Sequence, residues 1–362
     1  MKKDSHIAIY LAALPYGGTE RVALNLASYF IDTGHKVTIV TTYKKDDEMP
    51  FPEAAARVVT EPEDMEFNEG RIANFKKRLS NLKNVWLQIQ PNVILSFIGK
   101  NNMMALLSTR NLDIPVYIAV RGDPEAEYAS KAMRIVSKTL FAKAAGIILQ
   151  TERSKKYFPS YIRKKCRILK NPISAAYIEN NEDRHPEKTV VTVGRCDDNK
   201  NQMLIIRAFM SLRAKYPNYK LIIYGDGPKR GELIEYVREH ELDDCITLPG
   251  ITENTRESIK NAGIFVLSSN SEGMPNALIE AMALGIPSIS TDCPCGGPAE
   301  LIKDGVNGYL IPVADEKALA LAMDKLMGNS DLSEAIGREA QKIKEELLPE
   351  KVNKEWEEYI CN

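Results

Sequence analysis

The chain has 362 residues, of which 44% are hydrophobic and 27% are charged, and its formal net charge is −1. These fractions are those of a globular protein, and no apolar run approaches the roughly 18 to 20 residues that span a membrane. Because a single hydrophobic core stops growing at roughly 250 to 300 residues, the length predicts two domains.

Neither the cysteines nor the first residues indicate export. The six cysteines are scattered without zinc spacing or a CxxC pair, which is typical of free thiols in the cytoplasm. The apolar stretch 7–14 that follows the charged first residues is too short for a signal peptide and predicts a first strand instead. We therefore expect a cytoplasmic protein.

The small net charge hides an asymmetry between the two halves of the chain. Residues 1–172 contain 27 Lys and Arg against 17 Asp and Glu, whereas residues 173–362 contain 21 against 32. Most of the positive excess lies in residues 71–170, with 20 basic and five acidic side chains. Such a field suits an anionic surface, either a membrane leaflet or nucleic acid. The alternative is a solvated surface that faces the acidic second half.

Short apolar segments alternate with helical patterns along both halves, which predicts two parallel, doubly wound sheets. In the first half the predicted strands are 6–12, 36–42, 93–97, 116–120, 146–149 and 166–169. The predicted helices there are 20–33, 71–90, 101–111 and one that ends near 144, with an acidic loop at 46–69.

The second half repeats this alternation after a polar linker at 179–188. Its predicted strands are 189–193, 220–224, 245–248, 263–267 and 288–290, and its helices are 201–216, 229–240, 253–261 and 276–284. The predicted domains are residues 1–172 and 173–345. The remaining segment, 346–362, predicts a helix with one aromatic face (Trp356, Tyr359) that crosses back to the first domain.

The segment 268–287 combines a strand end, a Ser/Asn/Gly turn and an amphipathic helix. Pro275 suits the first helical position, which places the N-cap on Met274, whose side chain accepts no strong hydrogen bond. Amides of the first turn, together with the helix dipole, would then favour an anion. Glu272 and Glu280 flank this turn, and carboxylates accept hydrogen bonds from hydroxyl groups. The segment predicts a site for a phosphorylated, hydroxyl-rich ligand such as a nucleotide sugar; the alternative is an ordinary loop and helix.

A second polar motif, 194–200, follows the first strand of the second half. Arg195 and Lys200 lie five residues apart at a strand's carboxyl end, where ligands bind in open parallel sheets, so both cations can reach a diphosphate. The alternative is two solvated side chains at a helix start. Asp197 and Asp198 lack the further carboxylate or His ligands of a metal site, so we expect no bound metal.

Two glycine turns also join strands to helices. Gly17-Gly18 and Gly225-Asp226-Gly227 allow the backbone to approach a ligand closely. The second turn does not match GxGxxG, because its third glycine comes one residue late, so dinucleotide binding is weakly supported. The four histidines form no nucleophile motif with a Ser or Cys.

In combination, these motifs resemble those of the retaining glycosyltransferases of family 4, over nearly the whole chain. The motifs are Glu272-Gly273-Met274-Pro275-Asn276 through Glu280, Gly194-Arg195 to Lys200, Gly17-Gly18, Gly225-Asp226-Gly227 and Asn171-Pro172. The resemblance implies the GT-B fold, in which two Rossmann-like domains face a cleft.

The resemblance also implies roles for individual residues. Arg195 and Lys200 would bind the donor diphosphate, Glu280 the nucleotide ribose, and Glu272 the transferred sugar. The implied catalytic residues are Glu272, Arg195 and Lys200, and the implied donor-binding residues are Gly17, Gly18, Gly194, Gly225, Gly273, Met274, Pro275, Asn276, Ala277 and Glu280. The two cations and the helix amides would do the work of Mg²⁺, so neither metal nor cofactor is expected.

One segment departs from the family pattern. Many members carry a His after the strand that ends here at Val120, whereas this chain has Arg121-Gly122-Asp123-Pro124. Arg121 and Asp123 are therefore candidates for contact with the acceptor or the donor sugar, and whether Arg121 contacts sugar, phosphate or Asp123 is open.

Together, the residues and the resemblance predict transfer of a hexose or N-acetylhexosamine from a UDP-sugar to a glycan acceptor with retention. The acceptor is expected to be lipid-linked, in cell-surface polysaccharide assembly. Basic helix 71–90 (Phe75, Lys76, Lys77, Arg78, Leu79, Leu82, Lys83, Val85, Trp86) would then dock on the inner membrane leaflet, unless it is an ordinary core helix. The alternatives are a UDP-sugar 2-epimerase and a non-catalytic nucleotide-sugar-binding subunit. Nucleic-acid binding lacks a recognition motif.

Overall fold

The computed structural model describes residues 4–62, 70–178 and 184–361. The chain divides into two compact units, one that runs to Pro172 and resumes at Glu350, and one that spans Ile173–Pro349. Parts of the predicted acidic loop (63–69) and of the predicted linker (179–183) lie outside the described residues. Within the described residues, no helix combines the length and the apolar character needed to cross a membrane.

The first unit is built on a seven-stranded parallel sheet in the order β3-β2-β1-β4-β5-β6-β7. The strands are β1 (His6–Leu11), β2 (Lys36–Thr41), β3 (Ala56–Val59), β4 (Val93–Phe97), β5 (Val116–Ala119), β6 (Gly146–Leu149) and β7 (Cys166–Ile168). All neighbouring strands pair in parallel, which confirms the predicted doubly wound sheet. Edge strand β3 lies inside the predicted acidic loop, so that part of the loop prediction was wrong.

Helices cover both faces of this sheet. They are α1 (Gly18–Asp32), α2 (Arg71–Ile89), α3 (Gly99–Ser108), α4 (Pro124–Glu127), α5 (Lys131–Leu140), α6 (Glu152–Lys155) and α7 (Ser160–Arg163). The single helix predicted to end near residue 144 is divided, because Ser130 accepts a hydrogen bond from the Met133 amide at 3.2 Å and starts a new helix. Trp86 of α2 is fully buried and meets Tyr10 edge-on at 5.9 Å.

The second unit has a six-stranded parallel sheet in the order β10-β9-β8-β11-β12-β13. The strands are β8 (Thr189–Val193), β9 (Lys220–Tyr224), β10 (Ile246–Gly250), β11 (Ile264–Leu267), β12 (Ser288–Thr291) and β13 (Tyr309–Ile311). The helices are α8 (Gln202–Leu212), α9 (Arg230–Glu239), α10 (Thr255–Ile259), α11 (Asn276–Ala283), α12 (Glu316–Met327), α13 (Ser330–Gln341) and α14 (Ile343–Glu346). Of these strands, sequence reasoning missed only β13, a strand of three residues at one edge of the sheet.

The last helix, α15 (Pro349–Cys361), packs on the first unit. The Trp356 ring stacks on Phe97 with 6.1 Å between centroids, and its Nε1 donates to the Lys170 carbonyl oxygen at 3.1 Å. Buried Glu357 contacts His35 Nε2 at 2.9 Å through Oε1. The terminal segment therefore completes the core of the first unit.

Candidate active site

The second sheet reverses its winding direction between β8 and β11. Strand β9 pairs with one edge of β8, and β11 pairs with the other edge. The loops that follow β8 and β11 therefore diverge from adjacent strands at one carboxyl edge. This is the position where open α/β sheets bind ligands.

Hydrogen bonds hold these two loops together. The Asn270 amide donates to the Asn199 carbonyl oxygen at 2.7 Å, and Asn199 Nδ2 donates to the Ser271 carbonyl oxygen at 2.9 Å. Ser268 Oγ donates to the Lys200 carbonyl oxygen at 2.8 Å. Both loops thus form one connected surface, on which the predicted polar residues are presented.

Lys200 and Glu272 form the closest charged contact of this surface. Lys200 Nζ lies 2.5 Å from Glu272 Oε1, and the two side chains are only 23% and 13% exposed. The backbone amide of Lys200 is also bonded to Asp197 Oδ1 at 2.9 Å. Sequence reasoning selected both residues but assigned them to different parts of a ligand. The structure places them together, so a ligand phosphate that binds Lys200 also approaches Glu272.

Arg195 differs from Lys200 in its surroundings. Its side chain is 70% exposed, and its Nε lies 3.8 Å from Asp197 Oδ2. Such a contact fixes a guanidinium weakly. Arg195 can therefore turn toward an anion at low cost, whereas Lys200 is held in place.

Helix α11 begins beside these cations. Asn276 is its first residue and Pro275 is its N-cap, with φ −77° and ψ 111° and no side-chain hydrogen bond to the helix. The predicted cap on Met274 was wrong by one residue, because extended Pro275 precedes the helical turn. A proline side chain offers no acceptor, so the cap itself leaves the positive end of the helix dipole available to an anion.

Glu280 lies in α11 and is buried, with 5% of its surface exposed. The Tyr177 hydroxyl donates to its Oε2 at 3.2 Å. Sequence reasoning missed Tyr177, which belongs to the second unit and lies 103 positions before Glu280. A tyrosine that follows the Asn171-Pro172 motif was the only signal. The contact fixes the orientation of the carboxylate.

Gly225 and Gly194 bring neighbouring loops into contact. Gly225 has φ +134°, and a Cβ there would overlap the Gly194 carbonyl oxygen. The Gly194 amide donates to the Tyr224 carbonyl oxygen at 3.0 Å. Glycine is thus required at position 225 because a side chain there would clash with the neighbouring loop. Contact of either glycine with a donor stays a prediction.

The loop after β12 packs against the backbone that carries Glu272, and sequence reasoning missed this contact. The thiol of Cys295 donates to the Glu272 carbonyl oxygen, and a Cβ on Gly297 would overlap the Gly273 carbonyl oxygen. Burial raises the pKa of Cys293 to about 12, so this thiol stays protonated. The sequence signal was a Cys-x-Cys-Gly-Gly turn at the end of a strand.

The first unit presents Gly17 and Gly18 at the equivalent point, since β1 pairs with both β2 and β4. Gly17 is the extended N-cap of α1, and Gly18 is its first residue. Glu20 folds back over this turn, because its carboxylate lies against the position of a Cβ on Gly17. Burial raises the pKa of Glu20, and the charges of Lys45 and Arg121 oppose that shift.

Arg121 follows β5 and does not pair with Asp123. Its Nη2 donates to Asn171 Oδ1 at 2.5 Å, and its guanidinium lies 5.8 Å from the Trp356 ring centroid. Its Nε and Nη1 are buried without a hydrogen-bond partner among the described residues. Asp123 instead caps α4, accepting from the Glu125 amide at 2.9 Å. Two donors of Arg121 are thus buried and unsatisfied within the described part of the chain, and Asp123 caps a helix, while contact of either residue with a ligand stays a prediction.

Two family models cover most of the chain. Residues 174–343 match the model for glycosyl transferases group 1, and residues 16–177 match that for Glycosyltransferase Family 4. An uncharacterised glycosyltransferase of Methanocaldococcus jannaschii is 30% identical over 314 residues, which are 75% of each chain. The chain belongs to glycosyltransferase family 4. The resemblance drawn from its motifs is thereby confirmed.

Other proteins match the glycosyltransferase over almost its whole length. The Campylobacter jejuni GalNAc-α-(1→4)-GalNAc-α-(1→3)-diNAcBac-PP-undecaprenol α-1,4-N-acetyl-D-galactosaminyltransferase is 26% identical over 98% of both chains. The crystal structure of Anabaena HepE in complex with UDP superposes with a TM-score of 0.81 at 15% identity, again over 98% of both chains. The glycosyltransferase therefore has the GT-B fold.

Proposed function

We propose that the glycosyltransferase moves a hexose or N-acetylhexosamine from a UDP-sugar to a hydroxyl group of a glycan acceptor, with retention at the anomeric carbon. The observation that carries this proposal is the convergence of Lys200, Glu272 and the start of α11 at one switch point, with Arg195 beside them. The UDP in the Anabaena structure supports the choice of donor.

Each part of the donor has a group of matching chemistry in the second unit. Arg195 and Lys200 bind the diphosphate, and backbone amides of the segment Gly273 to Asn276 bind the transferred sugar. Glu272 accepts a sugar hydroxyl, and Glu280, held by Tyr177, accepts the ribose hydroxyls.

Transfer proceeds by attack on the face that the leaving group departs from. The bond between the anomeric carbon and the acceptor oxygen forms as the bond to the β-phosphate oxygen breaks, and the acceptor proton passes to that phosphate. The negative charge on the departing UDP is stabilised by Arg195, Lys200 and the α11 dipole. These groups supply the positive charge that a metal would otherwise provide, so the reaction is proposed to need none.

A lipid-diphosphate-linked glycan is the proposed acceptor, in the assembly of a cell-surface polysaccharide. The Campylobacter relative acts, by its name, on an undecaprenol-diphosphate-linked sugar, and it matches the chain end to end. The excess of basic residues in the first unit suits a diphosphate acceptor.

The donor is tested by thermal unfolding with a panel of UDP-, GDP- and ADP-sugars. Stabilisation grows as RT ln(1 + [L]/Kd), about 2.7 kcal/mol when the ligand is at 100 times its Kd. We expect a UDP-sugar to give the largest shift and Lys200→Ala to abolish it. Equal shifts with all three bases, or none with UDP-sugars, would contradict the proposal.

The reaction type is tested with UDP-GlcNAc in the presence and absence of acceptor. Transfer should release UDP only with acceptor, and the anomeric configuration of the product, read by NMR coupling constants, should match that of the donor. Conversion of UDP-GlcNAc to UDP-ManNAc without acceptor would show an epimerase instead.

A further inference from the structure

Helix α5 turns two consecutive apolar residues toward solvent. Ile135 is 66% exposed and Val136 is 39% exposed, whereas Ser137 and Leu140 of the same helix are buried in the first unit. Single exposed apolar residues are common on protein surfaces. Two together on a short helix whose opposite face already fills the core indicate a second apolar face.

Helix α7 adds a third apolar side chain to this face. Tyr161 is 55% exposed, and its hydroxyl donates to the carbonyl oxygen of Lys138, three residues after Ile135 in α5. The hydrogen bond holds the aromatic ring beside α5. An aromatic ring with one polar group is the type of side chain that suits a membrane–water interface.

Positive charge surrounds these residues. Residues 129–170 contain 12 Lys and Arg and a single acidic residue, Glu152. The exposed cations on or next to α5 and α7 are Lys131, Arg134, Lys143, Arg163 and Lys164. We call Ile135, Val136 and Tyr161, with these five cations, the α5–α7 surface.

Helix α2, which the sequence suggested as the docking element, uses part of its apolar face to fill the core. Three residues of its apolar face, Leu82, Val85 and Trp86, are buried in the core, so this face is already occupied. Ile72, Phe75 and Leu87 of this helix are exposed and remain outside that contact, so α2 is a second candidate that the same vesicle assay can test.

We propose that the α5–α7 surface docks the glycosyltransferase on an anionic lipid bilayer. Ile135, Val136 and Tyr161 enter the interface between headgroups and acyl chains, and the surrounding Lys and Arg side chains lie against lipid phosphates. Charge alone would equally suit nucleic acid, but exposed aliphatic side chains gain nothing from a phosphodiester backbone. The proposal deepens the proposed function, because a lipid-linked acceptor would lie in the same bilayer.

The test is flotation of the full chain with vesicles of phosphatidylcholine alone or with roughly a third phosphatidylglycerol, without donor or acceptor. We expect binding only to the anionic vesicles. Arg134→Glu with Lys164→Glu should weaken it by more than about tenfold, since each basic residue at such a surface contributes about fivefold. Ile135→Ser with Val136→Ser should weaken it by about tenfold.

The controls carry a double charge reversal and an Ile→Ser substitution away from this surface. Exposed residues of the second unit provide them, as Lys303→Glu with Lys317→Glu and as Ile251→Ser. These variants should bind anionic vesicles as the parent does. Circular dichroism and UDP-induced stabilisation verify the fold of each variant. UDP stabilisation without vesicle binding would reject the docking surface alone, whereas vesicle binding without UDP stabilisation would reject the proposed donor alone.

Two further outcomes would overturn the proposal. One is equal binding of the parent and the Ile135→Ser, Val136→Ser variant, which would leave only a charged surface. The other is binding of transfer RNA as tight as binding of vesicles at equal phosphate concentration, with no effect of the aliphatic substitutions. That result would assign the surface to nucleic acid.

Discussion

Arg195 and Lys200 lie five residues apart yet experience different environments. Lys200 is held by Glu272 at 2.5 Å, whereas Arg195 is mostly exposed and has only a long contact to Asp197. An exposed cation with one weak partner contributes little to stability. The role proposed for Arg195 is therefore in binding the donor and not in stabilising the fold.

Arg195→Ala is predicted to reduce activity while leaving the fold intact. Loss of one group that stabilises developing charge costs about 2.7 to 4 kcal/mol of barrier, so kcat should fall about 100- to 1,000-fold. The free energy of unfolding should stay within about 0.5 kcal/mol of the parent value. Steady-state kinetics and denaturant unfolding measure the two quantities. Lys229→Ala removes a partly exposed cation, which pairs with Asp198 at 3.2 Å, and should keep near-parental kcat. A kcat close to the parent for Arg195→Ala would exclude its proposed role.

Sequence patterns identified the candidate site residues but not which residues each of them contacts. Arg195, Lys200, Glu272 and Glu280 are recognisable because strand ends and a helix start are local features. The pairing of Lys200 with Glu272 joins residues 72 positions apart, and that of Arg121 with Asn171 spans 50. Such contacts depend on which strands become neighbours, and local patterns do not encode strand order.

Among the elements, the loop after β12 sets the position of the Glu272 backbone. Gly297 packs so closely on Gly273 that a methyl group there would overlap its carbonyl oxygen. Gly231, in contrast, has nothing within 4 Å of a Cβ and lies in α9 with helical backbone.

Gly297→Ala should displace the segment that carries Glu272. A misplacement of about 1 Å at a reacting centre can cost about 100-fold, so kcat/KM should fall by at least tenfold. Gly231→Ala is the matched control and should leave kcat/KM unchanged while it stabilises the helix by about 0.5 to 1 kcal/mol. Unimpaired kinetics of Gly297→Ala would mean that the loop moves independently of Glu272.

Edge strand β3 is anchored by a buried ion pair. Arg57 Nη1 lies 2.5 Å from Glu48 Oε2, and the two side chains are 14% and 8% exposed. Burial by itself would raise the pKa of Glu48, but hydrogen bonds from Arg57 and from the amides of Leu14 and Lys45 outweigh it and lower the pKa below its usual 4.5. The pair stabilises the fold above that pH, and its contribution is lost as the pH falls and Glu48 is protonated.

Glu48→Gln should therefore destabilise the chain most at neutral pH. We expect a loss of about 1 to 3 kcal/mol near pH 7, because Arg57 would keep its charge without its partner. The difference from the parent should shrink below about pH 4. Urea unfolding across this range provides the measurement, with exposed Glu53→Gln as the control. A difference that does not change with pH would contradict the role of the charge.

Strands β3 and β13 were not predicted from the sequence. Ala56–Val59 is half-exposed, and Tyr309–Ile311 has three residues, so neither shows the continuous apolar run that revealed β1 or β8. Both lie at a sheet edge. A strand at an edge needs burial on fewer sides, and its sequence is correspondingly less apolar.

At the scale of the whole molecule, α15 returns the chain to the first unit. Trp356 is fully buried and contacts Phe97, Arg121 and the Lys170 carbonyl oxygen. The aromatic face of the terminal helix predicted such packing. Local sequence patterns could not identify the surface of the first unit that receives it, because those residues come from β4, from the loop after β5 and from the segment after β7.

Trp356→Ala should destabilise the first unit by about 3 to 5 kcal/mol, the usual effect of removing a buried aromatic side chain. The chain contains two tryptophans, so fluorescence of Trp86 still reports unfolding of this unit in the variant. Lys354→Ala changes an exposed residue of the same helix and should have little effect. A loss below about 1 kcal/mol for Trp356→Ala would show that α15 is only loosely attached.

The return of α15 also affects the order in which a ribosome can deliver folded structure. Residues up to Pro172 are synthesised first, yet their core lacks Trp356 and Glu357 until everything between Ile173 and Pro349 has been translated. The second unit is continuous in sequence, so nothing made later is needed for its sheet. The first unit is therefore begun first but is the last to complete its core. Phe97 and His35 remain without their α15 partners until that helix is made, and chaperones can bind exposed apolar surface during this time.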